Sequence, residues 1–148
     1  MDLMTILTPE MISLHLSGTT KDEIIDELID VATKSGKISD RNEAKAAVLE
    51  REARMSTGMK HGIAIPHGKT GTVTELVACV GISDNEVDFD ALDHRGCRIY
   101  IMTLSPLEKT GPHLQFLAEV STLFRSEEKR QAILAATSPQ EVIALLTP

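Results

Sequence analysis

The fold is decided by two apolar runs near the middle of the chain, L-V-A-C-V-G-I (76–82) and C-R-I-Y-I-M-T-L (97–104). Both are short, rich in β-branched residues and apolar at nearly every position, as strands covered on both faces tend to be. A shorter run of the same kind, I-A-I (63–65), precedes them, and I-S-L-H-L-S (12–17) has the alternation of a further strand. The runs therefore predict a β-sheet that is buried on both sides.

Helix signals alternate with these runs. Thr20 and Glu23 have the spacing of a capping box, followed by a stripe of apolar residues, which predicts a helix over about 20–35. Asp40 and Glu43 repeat the start signal and open a second predicted helix that continues to about residue 55.

From Thr110 onward the chain is predicted to be helical, first around H-L-Q-F-L-A-E-V-S-T-L-F (113–124) and then in a short last helix opened by Ser138, Pro139 and Glu141. Neither an internal repeat nor a linker-like segment interrupts the sequence. We therefore expect a single α/β domain over residues 1–148, with a mixed β-sheet sandwiched between helices.

Composition excludes several classes of function. The chain carries 15 Lys and Arg against 22 Asp and Glu, a net charge of −7, so we expect it to bind neither nucleic acid nor an anionic membrane surface. The N-terminus is acidic rather than basic, and no apolar run approaches the roughly 20 residues that cross a bilayer. Cys79 and Cys97 lie in strand-like runs without a metal or disulfide spacing. These features predict a cytoplasmic protein without direct membrane insertion.

The segment Gly62 to Thr70, G-I-A-I-P-H-G-K-T, is close to a nucleotide-binding P-loop but one residue too long. Its I-A-I run is typical of a stiff strand, and Pro66 has no N–H to offer a phosphate. His61 and His67, six residues apart, do not have a known metal-ligand spacing either. We therefore expect neither ATP nor zinc as a functional ligand.

A third interpretation takes His67 as a nucleophile. Pro66 cannot donate to a sheet, so it is expected to end a strand and to place His67 at its C-terminal end, where sites in α/β sheets usually lie. Gly68 would leave room for a second molecule to approach. Taken alone, the segment is more typical of a strand-ending turn with an incidental histidine.

Arg51, His113 and the turn at residues 56–58 also offer groups that bind phosphate. Arg51 falls on the same helical stripe as Ala44 and Val48, whereas Glu50 and Glu52 are predicted to lie off it. An inward guanidinium favours an anion, although a salt bridge or placement at the helix C-terminus would also explain it.

His113, in T-G-P-H, lies at a predicted helix start, where backbone amides attract phosphates, but capping-region histidines are common. Ser56 and Thr57 form a polar turn with Gly58, and their hydroxyls are candidate phosphate ligands or simply turn residues.

With Arg51, S-T-G (56–58), G-I-A-I-P-H-G (62–68) and P-H-L (112–114) in this order, the sequence resembles the Enzyme IIA domains of the bacterial phosphoenolpyruvate-dependent phosphotransferase system. The branch that it resembles is the fructose/mannitol type, which includes the nitrogen-regulatory IIA proteins. The resemblance spans almost the whole chain.

The resemblance implies a phosphotransferase component with a mixed sheet between helices. It makes His67 the acceptor of a phosphoryl group from the phosphocarrier HPr or an HPr-like protein, with Arg51 and His113 as the other site residues. Transfer would continue to a IIB domain in sugar uptake or, alternatively, the phosphorylation state would control binding to regulatory partners. No metal or nucleotide cofactor is required. The turn Met59, Lys60 and His61 is bulkier and more basic than in many relatives, which bears on partner choice.

Overall fold

The computed structural model describes residues 6–108 and 111–147, and it leaves the side chains at 111–113 undescribed. After a short 3-10 helix at Pro9–Met11, the described residues contain five strands and five α-helices. These are β1 (Ile12–Leu16), α1 (Lys21–Thr33), α2 (Arg41–Arg54), β2 (Ile63–Ala64), β3 (His67–Lys69), β4 (Val77–Val87), β5 (Cys97–Ser105), α3 (Gly111–Leu123), α4 (Glu127–Leu134) and α5 (Pro139–Leu146).

The strands form one mixed sheet in the order β1-β4-β5-β2, and β3 also pairs with β5. The two long strands β4 and β5 are antiparallel, whereas β1 runs parallel to β4, and β2 and β3 run parallel to β5. This confirms the predicted mixed sheet.

Helices cover both faces of this sheet. On one face α1 lies over β4, where the Cys79 thiol contacts the Leu28 carbonyl at 3.4 Å, and a Cβ on Gly81 would lie 2.8 Å from the Leu28 side chain. The other face is buried as well, since nearly every consecutive position of β4 from Val77 to Ser83 and of β5 is buried, and Val120 of α3 lines a cavity together with Ile63 of β2. Both faces are therefore buried, which is why β4 and β5 are apolar at consecutive positions.

The predicted helix starts are confirmed at the level of hydrogen bonds. Thr20 and Glu23 form a complete capping box at the start of α1, Asp40 accepts from the Glu43 amide at α2, and Ser138 accepts from the Glu141 amide at α5. Cys79 and Cys97 are buried free thiols. None of the described helices is both long and apolar enough to cross a membrane.

The strand that precedes His67 differs from its prediction. Pro66 does not leave His67 at a strand end, because pairing with β5 is interrupted only over Ile65 and Pro66 and resumes at His67, opposite Thr103. The Pro66 carbonyl still accepts a hydrogen bond from the Thr103 amide at 3.2 Å. A proline lacks only the donor, so its carbonyl keeps the chain aligned with β5 and His67 lies at the sheet edge.

Candidate functional site

His67 borders an open groove of about 590 Å³ between helix α2, strand β3 and the segment that leads into α3. Leu107 and Leu114 lie on its rim and are 62% and 59% exposed. The groove is lined by Ala47, Glu50, Arg51, Arg54, His67, Gly68, Lys69, Leu107 and Leu114. It therefore combines one histidine with several cations and an apolar border.

The backbone fixes the orientation and the tautomer of the His67 ring. Its Nδ1 lies 2.8 Å from the carbonyl oxygen of Ile65, and a carbonyl can only accept a hydrogen bond. Nδ1 therefore carries the proton, and in the neutral ring the lone pair is on Nε2.

The surroundings of His67 favour the neutral ring. Burial lowers the pKa of its imidazole, and the positive charge of Arg51 lowers that pKa further, while the hydrogen bond to Ile65 and the charge of Glu52 oppose the shift. The net effect places the pKa below its ordinary value, so the neutral ring is favoured at neutral pH.

Arg51 lies in the groove, as its position on the helix predicted, but part of its guanidinium is already engaged. Its Nη1 donates to the Met55 carbonyl at 2.8 Å, just beyond the end of α2. The side chain is half-buried. The guanidinium therefore has the helix-end placement that the sequence allowed and also lines the groove that His67 borders, while its role in binding an anion stays a prediction.

Glu52 corrects the sequence analysis, which placed it off the buried stripe. It is only 7% exposed, and its carboxylate accepts from the Thr57 amide at 3.0 Å and from the Thr57 hydroxyl at 2.5 Å. Lys21 balances its charge at 3.0 Å. The signal was present in the spacing, because Ala44, Val48 and Glu52 recur every four residues. Glu52 thus anchors the turn after α2.

The hydroxyls of Ser56 and Thr57 are both bound within the protein. Ser56 donates to the Phe89 carbonyl at 2.5 Å and accepts from the Gly58 amide at 2.9 Å, while Thr57 is buried against Glu52. Neither residue lines the groove around His67. In this structure they shape the turn.

Gly68 does lie in the groove, but its missing side chain serves another contact. A Cβ there would lie 2.9 Å from the Val48 nitrogen and 3.0 Å from the Ala47 carbonyl carbon, both in the backbone of α2. The space on the Cβ side of Gly68 is thus filled by helix α2, while the role of Gly68 in phosphate binding stays a prediction. Gly68 brings α2, and with it Arg51, close to His67.

His113 belongs to the first turn of α3, as predicted, but its side chain lies outside the described residues. The segment 62–70 forms β2 and β3 instead of a phosphate-wrapping loop. Among the described residues no three His, Cys, Asp or Glu side chains are grouped as a metal site would require.

Comparison with known proteins shows where this arrangement belongs. The family model described as "Phosphoenolpyruvate-dependent sugar phosphotransferase system, EIIA 2" matches residues 5–148. The chain belongs to this EIIA 2 family.

Two of the similar proteins in the EIIA 2 family are fructose-specific components. The chain is 38% identical to a fructose-specific EIIA component of Haloferax volcanii, over 95% of this chain and 92% of that one. It is 36% identical to a fructose-specific EIIABC component of Bacillus subtilis, over 99% of this chain, but it spans only 23% of that protein's length.

Solved structures share the EIIA 2 fold. The nitrogen regulatory protein IIA-Ntr of Neisseria meningitidis superposes with a TM-score of 0.91 at 26% identity, covering 98% of this chain and 99% of that one. The mannitol IIA of Escherichia coli, solved in complex with phosphorylated IIB, has a TM-score of 0.80 at 24% identity, covering 95% and 96%.

Proposed function

We propose that this EIIA 2 protein is a phosphohistidine carrier, which accepts a phosphoryl group from HPr or an HPr-like protein on Nε2 of His67 and passes it to a IIB component in sugar uptake. The observation that carries the proposal is the His67 ring itself. Its Nδ1 proton is held by the Ile65 carbonyl and its pKa is lowered by burial and by Arg51, so the lone pair is directed to Nε2.

Transfer between two histidines requires alignment and charge neutralisation rather than covalent help from the protein. The bond between phosphorus and the donor nitrogen breaks, its electron pair returns to the donor ring, and a bond to Nε2 of His67 forms. The His67 ring then carries more positive charge, which the Nδ1–H···O=C bond to Ile65 stabilises. The unengaged N–H groups of Arg51, with His113, would bind the phosphoryl oxygens.

The rim of the groove supports a protein donor. Leu107 and Leu114 are large apolar side chains exposed beside His67. Exposed apolar side chains around a polar reactive centre are typical of a docking surface, because they exclude water when the partner arrives. We assign this rim to contact with the incoming carrier and then with IIB.

Sugar uptake is favoured over regulation by sequence identity, which is 38% and 36% to fructose-specific proteins against 25–32% to nitrogen regulatory proteins. The regulatory alternative is favoured by shape, since IIA-Ntr superposes with a TM-score of 0.91 and mannitol IIA with 0.80. In that alternative His67 takes up the same phosphoryl group, but its phosphorylation state selects a regulatory partner.

Rapid-quench kinetics of phosphoryl uptake from phospho-HPr test the proposal. We expect one phosphoryl group per chain in the wild type, none in His67→Ala, and slower uptake by on the order of a hundredfold in a folded Arg51→Lys, which keeps the charge but loses the planar fork. Full uptake by His67→Ala would overturn the acceptor, and a wild-type rate in Arg51→Lys would leave Arg51 with its helix-end role alone. A further incubation with a fructose-type IIB distinguishes onward transfer from regulation.

A further inference from the structure

A second cavity, away from the His67 groove, gathers an unusual set of arginines. It has a volume of about 270 Å³ and lies between the β4–β5 end of the sheet and helix α4. Arg95, Arg98 and Arg130 line it together with the carboxylates of Glu86 and Glu127. Three guanidinium groups against two carboxylates leave one excess positive charge, in a chain whose net charge is −7.

Arg130 is the unusual member of this set because it is buried. Its side chain is 9% exposed, and its Nη1 donates to the Phe124 carbonyl at 2.7 Å. A guanidinium has five N–H donors and stays charged, and buried charges are normally paired. Within the described part of the chain, Arg130 forms no ion pair with a carboxylate.

Arg98 has the same arrangement on the opposite wall. Its Nε donates to the Ser83 carbonyl at 2.9 Å, which fixes the side chain on β5. Arg98 forms no ion pair with a carboxylate among the described residues, whereas the charge of Arg95 acts on the Asp93 carboxylate. One backbone carbonyl thus holds each of Arg98 and Arg130 in place, while their other donors remain for the cavity. A planar fork held in this way suits the oxygens of a phosphate.

We propose that this cavity is a second anion site that binds a small phosphorylated polyol, independently of the chemistry at His67. The guanidinium groups of Arg98 and Arg130 bind the phosphate, and Arg95 at the mouth adds long-range attraction. Glu86 and Glu127 can only accept hydrogen bonds when ionised, so they suit hydroxyl donors rather than a second phosphate. Ile99 and Leu134, which also line the cavity, would contact the C–H face of the polyol.

Calorimetry and amide NMR on the full chain test this site, with glucose 6-phosphate as the probe and inorganic phosphate and glucose as reference ligands. We expect saturable binding of glucose 6-phosphate, at least tenfold tighter than either reference, because each supplies only half of the contacts. The amide shifts should be centred on Gly62, Gly96 and Gln131 rather than on Gly68.

Variants separate the site from general electrostatics. Arg98→Gln and Arg130→Lys should each weaken binding about tenfold or more, since charge-assisted hydrogen bonds are lost. Arg130→Lys keeps the buried charge, and Arg98 is half-exposed, so both variants should fold. Arg125→Gln makes the same change in net charge as Arg98→Gln but lies outside this cavity, so it should bind glucose 6-phosphate normally. His67→Ala should also bind it normally. Equal weakening by Arg125→Gln, loss of binding in His67→Ala, equal affinity for either reference ligand, or no saturable binding would each overturn the proposal.

Discussion

At the scale of single residues, His67 is controlled by two neighbours on helix α2 that act in opposite directions. The positive charge of Arg51 disfavours the imidazolium, whereas the negative charge of Glu52 favours it. Burial, which disfavours the charged ring, is the largest cause of the lowered pKa; Arg51 adds to its effect and Glu52 opposes it. The protonation of His67, the proposed nucleophile, therefore depends on the fold as well as on the imidazole itself.

The opposing charges of Arg51 and Glu52 predict opposite shifts of the His67 pKa when each charge is removed. Arg51→Gln takes away a positive charge, so the imidazolium becomes less unfavourable and the pKa of His67 should rise. Glu52→Gln takes away a negative charge, so that pKa should fall. NMR titration of the His67 ring measures both, with the exposed His15 as an internal control. Shifts of the same sign, or none in either variant, would contradict this electrostatic account.

Local sequence spacing predicts the positions of some of these residues but not the contacts of others. The groove position of Arg51 follows from helical periodicity, and the burial of Glu52 could have been found in the same way. The bond of Ser56 could not, because its acceptor, the Phe89 carbonyl, is 33 residues away in a loop between β4 and β5. A hydroxyl in a polar turn is equally typical of a phosphate ligand and of such a long-range bond.

At the scale of elements, the site depends on how closely strand β3 approaches helix α2. Gly68 permits this approach, since a Cβ there would lie 2.9 Å from the Val48 nitrogen. The obstructing atoms belong to the backbone of a helix and cannot rotate away as a side chain would. Gly68, where β3 contacts the backbone of α2, therefore determines the distance between His67 and Arg51.

Gly68→Ala should consequently destabilise the protein by about 1–3 kcal/mol, the usual cost of overpacking, and should slow phosphoryl uptake by moving α2. Gly71→Ala is the matched control, because its Cβ would meet only the Leu107 side chain at 3.6 Å. Urea unfolding of both variants gives the comparison. Equal stability of Gly68→Ala and Gly71→Ala would show that the strand can shift without cost.

Helix starts were predictable from sequence because capping is local, as the Thr20 and Glu23 box of α1 shows.

The end of β4 was not predictable from sequence, since the strand continues through Ser83, Asp84, Asn85 and Glu86, which are polar and typical of a turn. Ser83 pairs with Leu16 of β1, and regular pairing with β5 resumes only at Val87 and Cys97, so the course of this segment depends on contacts outside it. Helix α4 was also missed, because its eight residues are mainly polar and its cap, Ser126, has no strong apolar stripe behind it.

At the scale of the whole molecule, the order of short motifs predicted the family, and the match over residues 5–148 confirms it. The motifs do not predict the partner protein, because partner choice depends on exposed surfaces such as the Met59, Lys60 and His61 turn. That turn borders a cavity of about 370 Å³ with Val120 and Phe124, on a face separate from the His67 groove. The shared motifs supply the site residues of the family, and we expect the exposed side chains to determine which partner proteins bind.

The most direct test of the central claim is NMR of the ¹⁵N-histidine-labelled protein after phosphorylation with phosphoenolpyruvate, enzyme I and HPr. Coupling to phosphorus identifies both the residue and the ring nitrogen that carry the phosphoryl group. Because Nδ1 of His67 is bound to the Ile65 carbonyl at 2.8 Å, we expect a single phosphoryl group on Nε2 of His67. It should persist in His61→Ala and disappear in His67→Ala. A phosphoryl group on Nδ1 of His67, or on any other residue of the wild type, would contradict the account.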